Sequence, residues 1–369
     1  MSDSAPALVL VGPTHPHTGG IAQHTTRLAL ELEKRGKTVV VESWLHQYPN
    51  FLYPASSRVP DDDPEIGVAR HVAEKLSWFS PLSWWLSGRR SRNTGTIAVS
   101  VPTPLHAIVY TVLFWGAGNR PKRLGIIHNV LPHESVFGAV WLMKILLRQL
   151  DLVVVHNDEA AAQVARISQG ITQVIVRKLP SPWTAPALTT RALRLPGTPL
   201  RILFFGTVRP YKGLDVLLNA VSRVPNSELF VAGEFWEKRE HYDQLIARLG
   251  IAQRVNIRSE YIKAKDFSSV FSHADVLVLP YKSASGSIVR ELGFDFGLAV
   301  IASDVGSLGE DIIPGQNGEV VPAGDISALA QVLEGLTDPG QLEKLKAGAR
   351  NLQVDRKKLW SAYAEVICA

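Results

Sequence analysis

Runs of consecutive apolar residues, rather than alternating ones, mark the strands of this 369-residue chain. Ala7–Gly12 (ALVLVG), Leu152–His156, Arg201–Gly206 (RILFFG), Leu229–Glu234 (LFVAGE), Ala274–Leu279 and Leu298–Ala302 are of this kind. A strand that is apolar at successive positions is covered on both faces, as in a parallel sheet between helices. Lys37–Ser43, Thr96–Val101, Arg123–His128, Val255–Ile262 and Glu319–Val321 read as further strands. Between them stand helical segments: one ending near Arg35, then Pro104–Trp115, Val136–Leu150, the stretch after Gly213, Ser287–Phe296, Ile326–Leu336, Gln341–Asn351 and Asp355–Ile367. Val136–Leu150 reads as amphipathic, and the very apolar run Leu105–Ala117 as a buried helix too short to span a bilayer. Strand and helix alternate almost throughout, which predicts the α/β class with parallel sheets.

The alternation breaks once. Leu179–Pro199 holds five prolines and little periodic pattern, the character of a linker. Residues 1–180 then form an N-terminal Rossmann-like domain, which the last helix (355–369) returns to close, and residues 181–354 form a second such domain.

Two strand-to-helix turns of the second half carry residues suited to an anion. Gly206 opens Thr207-Val208-Arg209-Pro210-Tyr211-Lys212-Gly213, with two cations three residues apart, which suit a phosphate better than a core. The Pro280–Gly286 loop carries Lys, Ser and Gly and opens into a helix, whose first N–H groups and positive dipole end favour a diphosphate. Glu291 lies one turn inside that helix. An ordinary strand–loop–helix unit would share this second pattern taken alone. In the first half, Gly19 and Gly20 stand where the first strand meets its helix, without the full G-x-G-x-x-G fingerprint. A tight turn would ask for the same small residues. Arg123–His128 runs on into Asn129-Val130-Leu131-Pro132-His133-Glu134, and a His at the carboxyl end of a parallel strand points into the crevice where α/β ligands bind. A lone His also serves purely structural roles. His15 and His17 have no carboxylate or thiol cluster beside them, and no metal site is read from them.

Taken in order, these residues resemble the nucleotide-binding domain of the GT-B glycosyltransferases, specifically glycosyltransferase family 4. The family pattern of G-x5-K-G, G-E, A-D-V-x-V-x-P and P-V-I-A-S-D-V-G-x3-E is matched by Gly206–Gly213, Gly233–Glu234, Ala274–Pro280 and Ala299–Gly306 through Glu310. The resemblance implies two Rossmann-like domains whose parallel sheets face across a cleft, and retaining transfer from a nucleotide-diphosphate sugar without a bound metal or other cofactor. It assigns Arg209 and Lys212 to the departing diphosphate, Gly206 and the N–H groups of Gly286, Ser287 and Ile288 to the donor phosphates, and Glu291 to the ribose hydroxyls. Tyr261 and Ile262 fall where the base meets a loop. Gly19 and Gly20 would face the donor phosphate and the acceptor. His128 would contact the donor sugar near its anomeric centre, with His133 and Glu134 in reach of the acceptor. One departure stands out: Ser283, eight residues before Glu291, occupies the place of the family's first Glu, which faces the donor sugar. A serine hydrogen-bonds there but brings no charge. Arg209 and Lys212 do not read as core positions.

Charge adds a partner. Residues 1–180 hold 18 Lys and Arg against 13 Asp and Glu, whereas residues 181–369 hold 21 of each, so the whole excess of +5 lies in the first half. Between Glu74 and Glu134 stand seven cations and no carboxylate, together with Trp78, Phe79, Trp84 and Trp85. Cations interleaved with aromatics suit an anionic membrane surface or a phosphorylated acceptor. No nucleic-acid motif accompanies them. The single cysteine, Cys368, excludes a disulfide framework and fits a reducing cytoplasm, and Met1–Pro6 lacks a signal-peptide core.

The expectation is therefore a cytoplasmic, metal-independent hexosyltransferase, peripheral at the membrane, acting on a glycan, a lipid-linked or a cell-envelope precursor. The alternatives are a nucleotide-sugar epimerase or hydrolase of the same shape, and a non-catalytic nucleotide-sugar-binding partner subunit, which Ser283 suggests. Donor base, sugar, acceptor and oligomeric state stay open.

Overall fold

The structure is a computed structural model that describes residues 8–17, 19–46, 69–131, 138–183, 197–284, 286–352 and 356–368, the first two residues of the last segment by backbone only. His133 and Glu134, and the irregular loops read at 47–54 and 60–64, lie outside the described residues. The chain divides into two units, Met1–Trp183 with Asp355–Ala369, and Thr184–Val354. Each is built on its own parallel sheet.

In the first unit the order is β1 (Leu8–Val11), α1 (Gly20–Lys34), β2 (Val39–His46), β3 (Val72–Ser77), α2 (Pro81–Ser91), β4 (Thr96–Val101), α3 (His106–Ala117), β5 (Lys122–Ile127), α4 (Ala139–Leu147), β6 (Leu152–Val155), α5 (Asp158–Ser168) and β7 (Gln173–Val176). The described strands pair in the order β3-β2-β1-β4-β5-β6-β7, all parallel. Chain direction across the sheet reverses between β1 and β4, the place where α/β folds bind ligands beyond their strand ends. Successive β1 residues enter opposite cores: Val9 and Val11 pack with α2–α5, Leu8 and Leu10 with α1 and the C-terminal helix α12 (Arg356–Cys368).

The second unit runs β8 (Leu200–Phe205), α6 (Leu214–Ser222), β9 (Ser227–Ala232), α7 (Arg239–Leu249), β10 (Val255–Arg258), α8 (Phe267–Ser272), β11 (Val276–Leu279), α9 (Ile288–Asp295), β12 (Ala299–Ser303), β13 (Gly318–Val321), α10 (Ile326–Gly335) and α11 (Pro339–Asn351). Its sheet has the order β10-β9-β8-β11-β12-β13, so the reversal falls between β8 and β11. The two turns singled out for anion chemistry follow these two neighbouring strands. This is the α/β architecture of two Rossmann-like sheets expected of the chain.

Two expected helices differ in character. α4 is shorter than 136–150 and is not amphipathic: Val140 and Trp141 are exposed opposite the buried Met143, Leu146 and Leu147. α3 is not wholly buried, since Ile108 and Trp115 face outward. Both helices rest on the sheet by one side only, so a helix apolar all round must leave apolar residues outside.

Four histidines of the first unit are held neutral by burial. His106, with no exposure, is lowered from 6.5 to about 4, and His156 to about 4, while His24 and His128 are also pulled well below the usual imidazole range. Below pH 6.5 the unfolded chain takes up protons that the folded one refuses until about pH 4, so stability present above 6.5 is lost across that window. For His106 alone the loss approaches about 3 kcal/mol. Urea titrations at pH 7.5 and pH 5, followed by a probe in the first unit, should show the lower midpoint at pH 5, and His106→Asn should shrink the difference. Equal midpoints would contradict the burial argument.

Candidate active site

The β8 and β11 turns are tied to one another. Lys282 N donates to the Tyr211 carbonyl (2.7 Å), Lys282 Nζ pairs with Asp215 at the start of α6 (2.8 Å), and Gly213 (φ +68°) lies so close to Pro280 that any Cβ there would collide with its carbonyl. Gly206 turns out of β8 at φ +102°, and the place its Cβ would fill is 3.4 Å from Lys212 Nζ and 3.7 Å from Val289 Cγ2 of α9. A loop, a lysine and a helix start thus meet at one point.

Lys212 corrects the sequence reading. It is a core position, only 8% exposed. Its ammonium donates to Thr207 Oγ1 (3.3 Å) and lies 5.4 Å from the centroid of the Tyr281 ring, with no carboxylate pairing among the described residues. Burial, reinforced by the neighbouring Arg209, pulls its pKa below the ordinary lysine value. A buried ammonium answered by a hydroxyl and a ring is a poor structural element and a ready anion ligand. Arg209 is half-buried, its guanidinium 5.4 Å from the Tyr211 ring and 5.2 Å from that of Trp236, which keeps its fork off the core and near the turn.

At α9 the cap is Ser287, whose Oγ accepts from Val289 N (3.3 Å) and stands 3.4 Å from Tyr281 OH. Tyr281 therefore bridges Lys212 to the helix start. Gly286 precedes it against Ser307 of the loop after β12. Glu291 is paired to its neighbour Arg290 (Nη2 to Oε1, 2.8 Å). Arg290 is 6% exposed and spreads its fork further, to the Ser307 and Leu308 carbonyls (2.6 and 3.2 Å) and to Asp311 (3.1 Å). Sequence reading missed this arginine, because adjacent residues on a helix do not face each other and the partners lie some twenty positions on. Ser283 is half-buried in the β11 turn; Tyr261 is half-buried and Ile262 buried beyond β10.

In the first unit His128 follows β5. Its Nε2 is 3.1 Å from Ser100 Oγ, and its Nδ1 is 3.3 Å from His156 Nε2. His24 of α1 meets the same ring edge-on (centroids 5.4 Å apart) and stacks on Trp360 of α12 (5.2 Å). Desolvation first, then the two neighbouring imidazoles, holds His128 neutral. His24 and His156 were not singled out from sequence, where isolated histidines give no sign of meeting. Gly19 (φ +96°) caps α1 and Gly20 begins it. Among the described residues no three His, Cys, Asp or Glu gather as for a metal ion.

Two parallel Rossmann-like sheets are the architecture of the GT-B fold, and solved structures agree. Sucrose-phosphate synthase from Thermosynechococcus elongatus superposes with a TM-score of 0.73 over 98% of this chain and 96% of its own, at 18% identity. Anabaena HepE in complex with UDP and glucose gives 0.73 over 98% and 99%, at 14% identity. Among curated sequences, a D-inositol 3-phosphate glycosyltransferase of Streptomyces avermitilis is 30% identical over 290 residues, 75% of this chain and 60% of that protein. The chain spans about half the length of the first curated relatives it matches. Residues 199–338 match the family model of the glycosyl transferases group 1, and this segment, with β8, β11 and both turns, belongs to that family.

Proposed function

We propose that the protein transfers a hexose, with retention and without a metal, from a nucleotide-diphosphate sugar to a glycan, lipid-linked or cell-envelope precursor. The observation that carries this reading is the buried Lys212 ammonium, unpaired by carboxylate among the described residues, against Gly206 and the start of α9. Breaking the bond between anomeric carbon and diphosphate loads negative charge onto the leaving oxygens, which Lys212, Arg209 and the N–H groups of Gly286, Ser287 and Ile288 would meet. Glu291, oriented by Arg290, would accept the ribose hydroxyls, and Tyr261 with Ile262 would flank the base. Gly19 and Gly20 serve donor phosphate and acceptor, His133 and Glu134 the acceptor. His128 suits the sugar because it is neutral: an imidazolium would repel a carbon becoming oxocarbenium-like, whereas a neutral ring, its two nitrogens held by Ser100 and His156, brings no opposing charge. The UDP and glucose of the Anabaena structure support a nucleotide-sugar donor.

Ser283 favours a second reading, a subunit that binds the donor without turning it over. Release of nucleoside diphosphate from a panel of UDP-, GDP- and ADP-sugars separates the two. Acceptor-dependent release is expected from one donor class. Release without any acceptor product points to an epimerase or hydrolase, and binding without release points to the subunit. In the same assay Glu291→Gln should raise the donor KM more than it lowers kcat, since ribose contacts change little during reaction. A fall in kcat at unchanged KM would remove Glu291 from the ribose.

A further inference from the structure

Three neighbouring helices of the first unit present an outer surface that is apolar and cationic at once, and the candidate site makes no use of it. α2 and α3 touch backbone to backbone: a Cβ on Gly88 would collide with the Leu113 carbonyl, and one on Gly116 with that of Trp85. α4 packs on the other side of α3, and Gln149 just beyond it donates to Thr111 Oγ1 (2.8 Å). The inward residues of this layer fill the core over β1, β4 and β5. Outward stand Phe79 ahead of α2, Leu82 and Leu86 on α2, Ile108 and Trp115 on α3, and Val140 and Trp141 on α4. Trp115 is 78%, Phe79 66%, Trp141 65% and Leu82 64% exposed. Soluble surfaces seldom gather such residues in one place.

The charge says what covers them. None of the three helices contains an Asp or Glu, nor does the chain between Glu74 and Glu134. Arg90 is tied to Glu42 and Arg123 to the Gly118 carbonyl, but Arg89, Arg92, Arg120 and Arg148 are exposed around the apolar ridges. Tryptophan and arginine side by side suit the boundary between lipid headgroups and acyl chains. No helix among the described residues is long and apolar enough to cross a membrane, so contact would be from the side.

We propose that the α2–α3–α4 layer docks on an anionic lipid bilayer, with the tryptophans and leucines seated at the headgroup boundary and Arg89, Arg92, Arg120 and Arg148 on the lipid phosphates. Helices joining parallel strands run antiparallel to them, so the N-terminal turns of this layer lie at the end of the sheet that carries Gly19 and His128. Phe79, Leu82 and Trp141 stand at that end, whereas Arg89, Arg92, Arg120 and Arg148 stand at the other, in the last turns of the helices or just past them, so the layer lies along the lipid and its docking does not by itself select the acceptor.

The test is sedimentation of the full chain with phosphatidylcholine vesicles, with and without phosphatidylglycerol. Binding is expected only with the anionic lipid, weakening as salt rises. Arg89→Gln with Arg120→Gln should lower partitioning about 25-fold, at about fivefold for each cation. Trp115→Ser with Trp141→Ser should lower it by at least about tenfold. Both double variants should keep the wild-type circular dichroism and nucleotide affinity. Equal binding to both vesicles, unchanged binding of either variant, or a lipid-free dimer that Trp141→Ser dissolves would overturn the proposal. Anionic-lipid binding by a protein that releases no nucleotide would leave the docking surface standing and sink the transferase reading.

Discussion

Lys212→Met should cut turnover by about 10²–10³ while leaving the fold at least as stable as before. The two halves of this result have one cause. On the proposed reading the buried ammonium would be a charge-assisted partner of the leaving diphosphate, and its loss would cost about 3–4 kcal/mol in the transition state. In the protein itself the same ammonium is desolvated and, among the described residues, answered by Thr207 and the Tyr281 ring, with its pKa lowered by burial. Methionine fills the same volume without that penalty. Arg209→Ala should lower turnover comparably with little change in stability, because its side chain is half exposed. Steady-state kinetics and thermal melts on the two variants decide the matter. Normal turnover in a folded Lys212→Met protein would remove the lysine from the chemistry; a large loss of stability would make it structural.

Arg290→Met should behave in the opposite way, losing about 3–5 kcal/mol of stability. Its fork holds two carbonyls of the loop after β12, Asp311 and Glu291, so one residue ties the first turn of α9 to the loop that lies against Gly286. Arg290→Lys should recover part of the loss and not all, since a single ammonium cannot serve four acceptors spread around a planar fork. Donor KM should rise in both, through Glu291. A urea midpoint within error of wild type for Arg290→Met would show that the loop is held by other contacts.

The buried parallel strands were legible because each is apolar on both faces: β1, β8, β11 and β12 announce themselves, and with them the two turns that follow β8 and β11. β3 and α2 were not. β3 (VAEKLS) is an edge strand with charged residues, and α2 (PLSWWLSGRRS) lacks a helical apolar stripe because part of its outer side is apolar too. The same outward apolar residues made α3 and α4 read as more buried, or more amphipathic, than they are. At the site, spacing on a turn showed that Arg209 and Lys212 belong together. It could not show that Gly206 and Tyr281 enclose the lysine, since that depends on residues some seventy positions apart meeting across the β8–β11 reversal. Arg290 was hidden for a similar reason, and so was the company of His128, drawn from α1 and the end of β6.

Calorimetric titration of UDP, GDP and ADP against the corresponding nucleosides, on wild type and on Arg209→Ala with Lys212→Met, reads the diphosphate site directly. One diphosphate should bind wild type at least about tenfold more tightly than its nucleoside, as one or more charge-assisted contacts require. That preference should vanish in the double variant while nucleoside affinity stays. A double variant that keeps the full preference for the diphosphate would contradict the placing of the leaving group between Gly206, Lys212 and the start of α9.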